Sequence, residues 1–234
     1  MLEACPCYIS HGAVNEKAIA GTMAHSVVEA KEDDMRLSDK HAEMAAECLD
    51  FFEKRKQMFE AARERDVTKA KLDWERTGGD LNKMVVFPGP VLELTEIYLP
   101  IDDCVFGDVK ATTAGYVDKV LIDHEGVYAE MFDWKFGEWP VEDADNNLQG
   151  MAYVLGLWKI YPALDKVRFI FKQPAINVLS QAVFERKDVH TMYRRIQCVA
   201  AAAREARAKG DFSTARPMVP ACNFCGNIGK CPKV

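Results

Sequence analysis

Two alternating runs, Tyr116–Ile122 and Val127–Lys135, joined by Asp123-His124-Glu125-Gly126, constrain this chain more than any other feature. Such runs around a polar, glycine-bearing turn form a β-hairpin, because strand side chains alternate faces and glycine admits the left-handed backbone of a tight turn. A further strand, Val91 to Leu99, precedes them. Alternation places Val127, Ala129, Met131, Asp133 and Lys135 on one face. If Ile122 pairs with Val127, Asp118 falls opposite Met131 and on the face of Asp133, roughly 7–8 Å away along the diagonal.

Helical patterns flank this unit. Before it, Thr22 is placed to cap a helix in which Val27 and Val28 face inward and His25 and Glu29 share a face. From Ser38 to about Arg76, the spacing of Ala42, Ala45, Leu49, Phe52 and Met58 predicts one or two long amphipathic helices, ended by turns at Thr77-Gly78-Gly79 and Pro88-Gly89-Pro90. After the hairpin come a helix around Asn146 to Trp158, a strand Val167 to Phe171 stopped before Pro174, and an alanine-rich helix from about Asp188 to Lys209. The order α, β-meander, α, β, α predicts one α/β domain over residues 1–234, with a central mixed sheet flanked by helices and a helical insert at about 38–77.

The 234 residues suffice for a substantial core, and 49% hydrophobic with 28% charged residues is ordinary for a globular chain. No apolar run approaches the roughly 20 residues of a spanning helix, and the N-terminus does not read as a secretory signal, so the expected location is cytoplasmic, without a membrane partner. The net charge of −6 argues weakly against a nucleic-acid partner, yet basic residues outnumber acids from Arg186 onward.

Asp118 and Asp133 on one face can share a hard divalent cation, which needs oxygen ligands and can activate a bound water against a phosphodiester. Lys135 beside them can stabilise the incoming hydroxide and the charge developing on phosphate. Alone, the hairpin is equally that of two polar edge residues and a solvated lysine. Its surroundings add Gly21-Thr22-Met23-Ala24-His25 upstream, Gly115-Tyr116-Val117-Asp118, Asp133-Trp134-Lys135, and Gln149-Gly150-Met151-Ala152-Tyr153 downstream. Gln149 and Tyr153, at i,i+4, can point at one place.

This series resembles the RecB-like exonuclease branch of the PD-(D/E)XK nuclease superfamily, phage-encoded members in particular, which carry G-T-x-x-H, G-x-x-D, D/E-x-K and Q-x-x-x-Y in this order. The resemblance implies a restriction-endonuclease-like core and Mg²⁺- or Mn²⁺-dependent DNA exonuclease activity in phage or bacterial recombination and end processing. It implies DNA, and a recombination or single-strand-annealing protein, as partners. It assigns metal binding to His25, Asp118 and Asp133, catalysis to Lys135, support of the centre or the DNA strand to Gln149 and Tyr153, and a less defined role to Glu96. Asp133 stands where many relatives have Glu, and either carboxylate can ligate. The rival readings are a non-catalytic DNA-binding module on the same fold and a zinc-stabilised interaction protein.

Eight cysteines in a chain expected in a reducing compartment call for a metal more than for disulfides. Cys222, Cys225 and Cys231 form a tight thiolate set that fits either Zn²⁺ or an iron–sulfur cluster. The resemblance favours a 4Fe–4S cluster with Cys5 as the fourth ligand, Cys7 being the competitor, so that the cluster joins the two chain ends. Cys48, Cys104 and Cys198 are expected to be small core residues.

Overall fold

The computed structural model describes residues 16–30, 37–79, 86–101 and 114–209, with Phe212, Ala215, Cys222, Cys225, Gly226, Lys230 and Cys231. Along the chain come α1 (Glu16–Ala30), α2 (Asp39–Arg76), β1 (Leu92–Pro100), β2 (Ala114–Ile122), β3 (Tyr128–Trp134), α3 (Leu148–Ile160), β4 (Lys166–Gln173), β5 (Val178–Glu185) and α4 (Val189–Lys209). The strands lie in sequence order in one sheet. β3 and β4 are parallel and the other neighbours antiparallel, so this is an α/β fold with a mixed sheet. A parallel pair needs a crossover, and α3 supplies it.

Two apolar layers sandwich the sheet. On one face Val120, Met131, Val167 and Phe169 pack under α3 and the Met192–Ile196 stretch of α4. On the other Leu121, Phe132, Trp134 and Ile170 pack against Ala24 and Val28 of α1 and Met44, Cys48 and Phe52 of α2. α3 is buried along most of its length and lies close to the sheet at Gly150, where a Cβ would stand 2.3 Å from the Phe169 ring. Asn147 caps it, its side chain accepting the Gly150 N–H.

The 38-residue α2 spans about 57 Å at 1.5 Å per residue and is docked by a buried ion pair. Arg55 donates from Nε (2.7 Å) and Nη2 to the fully buried Glu130 on β3, and Tyr128 Oη donates to the same carboxylate at 2.8 Å.

Several expectations shift in detail. α1 runs through Gly21-Thr22 without a break, so Thr22 is an interior helical residue and not a cap. The inward stripe of α2 is Met44, Ala45, Cys48, Phe52 and Phe59, which leaves Met58 58% exposed and Ala42 outside the core. β5 is an additional strand: Pro174–Ile176 form a short 3₁₀ turn and Asn177, at φ 53°, reverses the chain into it. Cys48 is buried, with its thiol pushed up to about 12 by desolvation, whereas Cys198 is exposed and Cys104 lies outside the described residues. No described helix is long and apolar enough to cross a membrane.

Candidate metal centre

The hairpin register fixes the site. Asp123 Oδ1 accepts the N–H groups of Val127 and Tyr128, Gly126 takes φ 72°, and the Asp123 N–H donates to the Tyr128 carbonyl. The pairing of the descending strand is therefore shifted by two residues from the one expected. Ile122 pairs with Ala129, not Val127, and the ladder runs to Lys119–Phe132. Extending that register sets Asp118 directly opposite Asp133, where a diagonal relation was expected.

Beyond Lys119–Phe132 the two strands no longer pair as a ladder, and the Asp118 side chain takes over. Its Oδ2 accepts the Trp134 N–H at 2.6 Å, while Oδ1 lies 3.4 Å from His25 Nδ1. β3 remains held on its other side, where it pairs with β4 as far as Trp134–Lys172 and the Lys135 N–H donates to the Lys172 carbonyl. The ends of β2 and β3 are thus separately anchored around a carboxylate.

The β1–β2 ribbon has a matching irregularity. Thr95 pairs with Lys119 and Ile97 with Val117, but the intervening Glu96 and Asp118 do not pair, and Glu96 adopts φ 47°. Side-chain alternation inverts here. Leu94 and Val120 face α3, as do Ile97 and Val117 three residues away, while Lys119 turns to the α1–α2 side, donating to the Glu29 carbonyl (3.2 Å) and Thr95 Oγ1 (2.9 Å). A left-handed non-glycine residue costs on the order of 1–3 kcal/mol, and such strain gathers at functional sites.

His25 and Glu29, one turn apart on α1, complete the cluster. Ligand atoms of His25, Glu29 and Asp118 lie within 4.8 Å of one another. Burial and a hydrogen bond to Glu96, with repulsion from Glu96 and Asp118, push the Glu29 carboxyl up to about 7. Burial likewise pushes Asp133 up to about 6, against the pull of Lys135. Burial lowers the His25 pKa, but the hydrogen bond and charge of Asp118 outweigh it and leave the imidazole above its ordinary value. Its ring stands edge-on to Phe136, centroids 5.0 Å apart.

A relay of side chains extends from the centre toward α3. Lys135 Nζ is 2.5 Å from Asp133 Oδ2 and 3.4 Å from Gln149 Oε1, and Gln149 Nε2 donates to Tyr153 Oη at 2.7 Å. Burial lowers the Lys135 pKa, but the charge of Asp133 and their hydrogen bond raise it further, so the ammonium is held. Gly115 admits this arrangement, since a Cβ there would stand 2.0 Å from the Tyr153 ring.

The structure thus brings His25, Asp118, Asp133, Lys135, Gln149 and Tyr153 to one region, with Glu96 joined through Glu29. Sequence reasoning noted that His25 and Glu29 share a face but did not make Glu29 a ligand; the i,i+4 spacing was the available signal. The carboxylates of Glu29 and Asp118 and the His25 imidazole are oxygen and nitrogen donors close enough together to hold one divalent cation, with Asp133 as an electrostatic neighbour of Asp118 and His25.

Cys222, Cys225 and Cys231 are half-buried; the Cys225 N–H donates to the Cys222 carbonyl at 3.1 Å, and Cys231 packs with Ala206 and Ala215. Cys5 and its competitor Cys7 lie outside the described residues.

The chain belongs to the family described as protein of unknown function (DUF2800), which matches residues 12–234. No curated protein matches it. Among solved structures, that of SSO0001 is similar over 69% of this chain and 66% of that one, just under two thirds of its length, with 17% identity and a TM-score of 0.30.

Proposed function

We propose that this chain is a metal-dependent deoxyribonuclease with a PD-(D/E)XK core, acting on DNA ends with Mg²⁺ or Mn²⁺. The observation that carries the reading is the ladder ending at Lys119–Phe132, beyond which Asp118 confronts Asp133, with Lys135 paired to Asp133 and His25 and Glu29 gathered on Asp118. The element order supports it: a helix, an antiparallel three-strand meander with the acidic residues on its second and third strands, a crossover helix, and a fourth strand parallel to the third.

Asp118 and Asp133 would hold the cation, with His25 and Glu29 completing its ligands. When bound, the cation supplies Lewis-acid activation of water and neutralises charge on the scissile phosphate. Lys135, kept protonated by Asp133, aims its ammonium where negative charge develops at phosphorus. Gln149 fixes the Lys135 side chain and is itself fixed by Tyr153, so the lysine reaches the transition state with little reorganisation.

The same reading extends to the C-terminal cysteines, with Cys5, Cys222, Cys225 and Cys231 as ligands of a 4Fe–4S cluster, or of Zn²⁺, that ties the chain ends together. Recombination and end processing of phage or bacterial DNA, beside a strand-annealing partner in the cytoplasm, is the matching context.

The test uses end-labelled linear DNA and closed circular DNA with purified protein. Shortening of the linear molecule with Mg²⁺ or Mn²⁺, its loss in chelator, and an intact circle are expected. No metal-dependent cleavage of either substrate contradicts the proposal.

A further inference from the structure

Resting on that nuclease reading, we infer that Tyr98 and Tyr116 form a stacking platform for an unpaired nucleobase beside the metal centre, which makes a single-stranded or frayed end the preferred substrate. The two residues pair directly across β1–β2, their rings are edge to face with centroids 5.5 Å apart, and they are 44% and 60% exposed. Their neighbours Leu99 and Val117 are fully buried, and Gly115 lies under Tyr153, all on the α3 side. Alternation therefore projects the tyrosines from the other face, the one that carries α1 with His25 and Glu29.

The pleat inversion at Glu96 and Asp118 is what turns them outward. With unbroken alternation, Tyr98 and Tyr116 would follow Leu94 and Val120 beneath α3. Instead Tyr98 lies two residues beyond Glu96, and Tyr116 two residues before Asp118, roughly 6.6 Å along the ribbon from the carboxylates. That separation is of the order of one nucleotide, so a strand whose phosphodiester lies at the carboxylates carries its neighbouring base over the rings. The platform is continuous with the metal centre, not a separate patch.

Every base has a π-face, so aromatic stacking is tolerant of sequence; bases within a duplex are already stacked on each other and do not offer theirs. The pair accordingly selects strand state and not base identity. Backbone capture falls to the cation, as suits a chain with a net charge of −6.

The experiment measures binding of a short single-stranded oligonucleotide carrying 2-aminopurine at either end, and of its blunt duplex, in Ca²⁺ in place of Mg²⁺ to suppress cleavage. Wild-type protein should bind the single strand more tightly and quench the 2-aminopurine. The Tyr98→Ala/Tyr116→Ala double variant should lose the quench and bind the single strand roughly tenfold to hundredfold more weakly, as removal of a base-stacking aromatic does. Tyr98→Phe/Tyr116→Phe should keep both, because stacking needs the ring and not the hydroxyl. Both side chains are exposed, and matched thermal melts verify the folds. Wild-type-like quenching and affinity in the alanine variant, or equal losses in the alanine and phenylalanine variants, would overturn the platform while DNA cleavage by wild-type protein left the nuclease reading standing. Failure of wild-type protein both to bind and to cleave DNA removes the two together.

Discussion

Glu96 and Asp118 confront each other across the β1–β2 ribbon without pairing, and both strands reverse the facing of their side chains at that step. Glu96 bears a left-handed backbone to do so, at φ 47°. The irregularity brings a third strand's acid toward Glu29 and leaves Asp118 to fill the gap between β2 and β3.

Glu96→Gly should therefore relieve backbone strain and remove an acid at once. We expect stability unchanged or raised by about 1 kcal/mol in denaturant melts, with Mn²⁺ affinity lowered in calorimetric titration. A destabilised variant with undiminished Mn²⁺ affinity would separate the strain from the site.

Glu29 gives a pH signature. Its carboxyl has an ordinary value of 4.5 and is pushed up to about 7, chiefly by burial, so the native protein binds a proton that the unfolded chain sheds within that window. The corresponding stability is present below about pH 4.5 and is lost as pH rises through about 7. Without metal, Glu29→Gln should melt higher than wild type at pH 8, by on the order of 1 kcal/mol, and the two should converge near pH 4.5. Equal melting temperatures at both pH values would contradict the crowding of carboxylates.

Gly115→Ala drives a Cβ to 2.0 Å from the Tyr153 ring. A loss of about 1–3 kcal/mol is expected in melts, as for overpacked cores. The companion Tyr153→Phe should fold normally and lower kcat with little change in KM, because Gln149 loses its anchor and Lys135 its fixed position. An unchanged kcat would remove Tyr153 from the relay.

Glu130→Ala leaves Arg55 facing an unpaired, buried position under α2. A loss of about 3–5 kcal/mol is expected, against a much smaller one when Glu130→Met is combined with Arg55→Leu and Arg168→Met, since Arg168 also pairs with Glu130 at 3.8 Å and replacing all three charges leaves none stranded. Equal losses in chemical denaturation would show that packing, and not charge, docks this helix.

The order of elements was legible because long periodic stretches and glycine-marked turns carry it; the helix after the hairpin and the parallel strand fall within a few residues of their expected places. The acidic centre was legible as residue types. Its geometry was not, because Asp123 side-chain bonds move the hairpin register by two residues and glutamate gives no sequence sign of a left-handed backbone at Glu96. β5 was hidden by reading Pro174 as a stop, although Asn177, a residue that tolerates positive φ, marks the reversal. Glu29 was visible as the i+4 neighbour of His25, but its value as a ligand depends on Asp118 lying within reach, which alternation alone does not reveal.

The central claim is tested most directly by the initial rate of nucleotide release from linear DNA in Mn²⁺ by wild type, Asp133→Ala and Lys135→Ala, with circular dichroism verifying the folds. Asp133 and Lys135 form an ion pair at 2.5 Å, one a proposed metal ligand and the other the charge beside the reacting phosphate. Each substitution should reduce the rate by at least about 100-fold, as removal of a preorganised electrostatic group does. Undiminished release by folded Asp133→Ala protein would contradict the account.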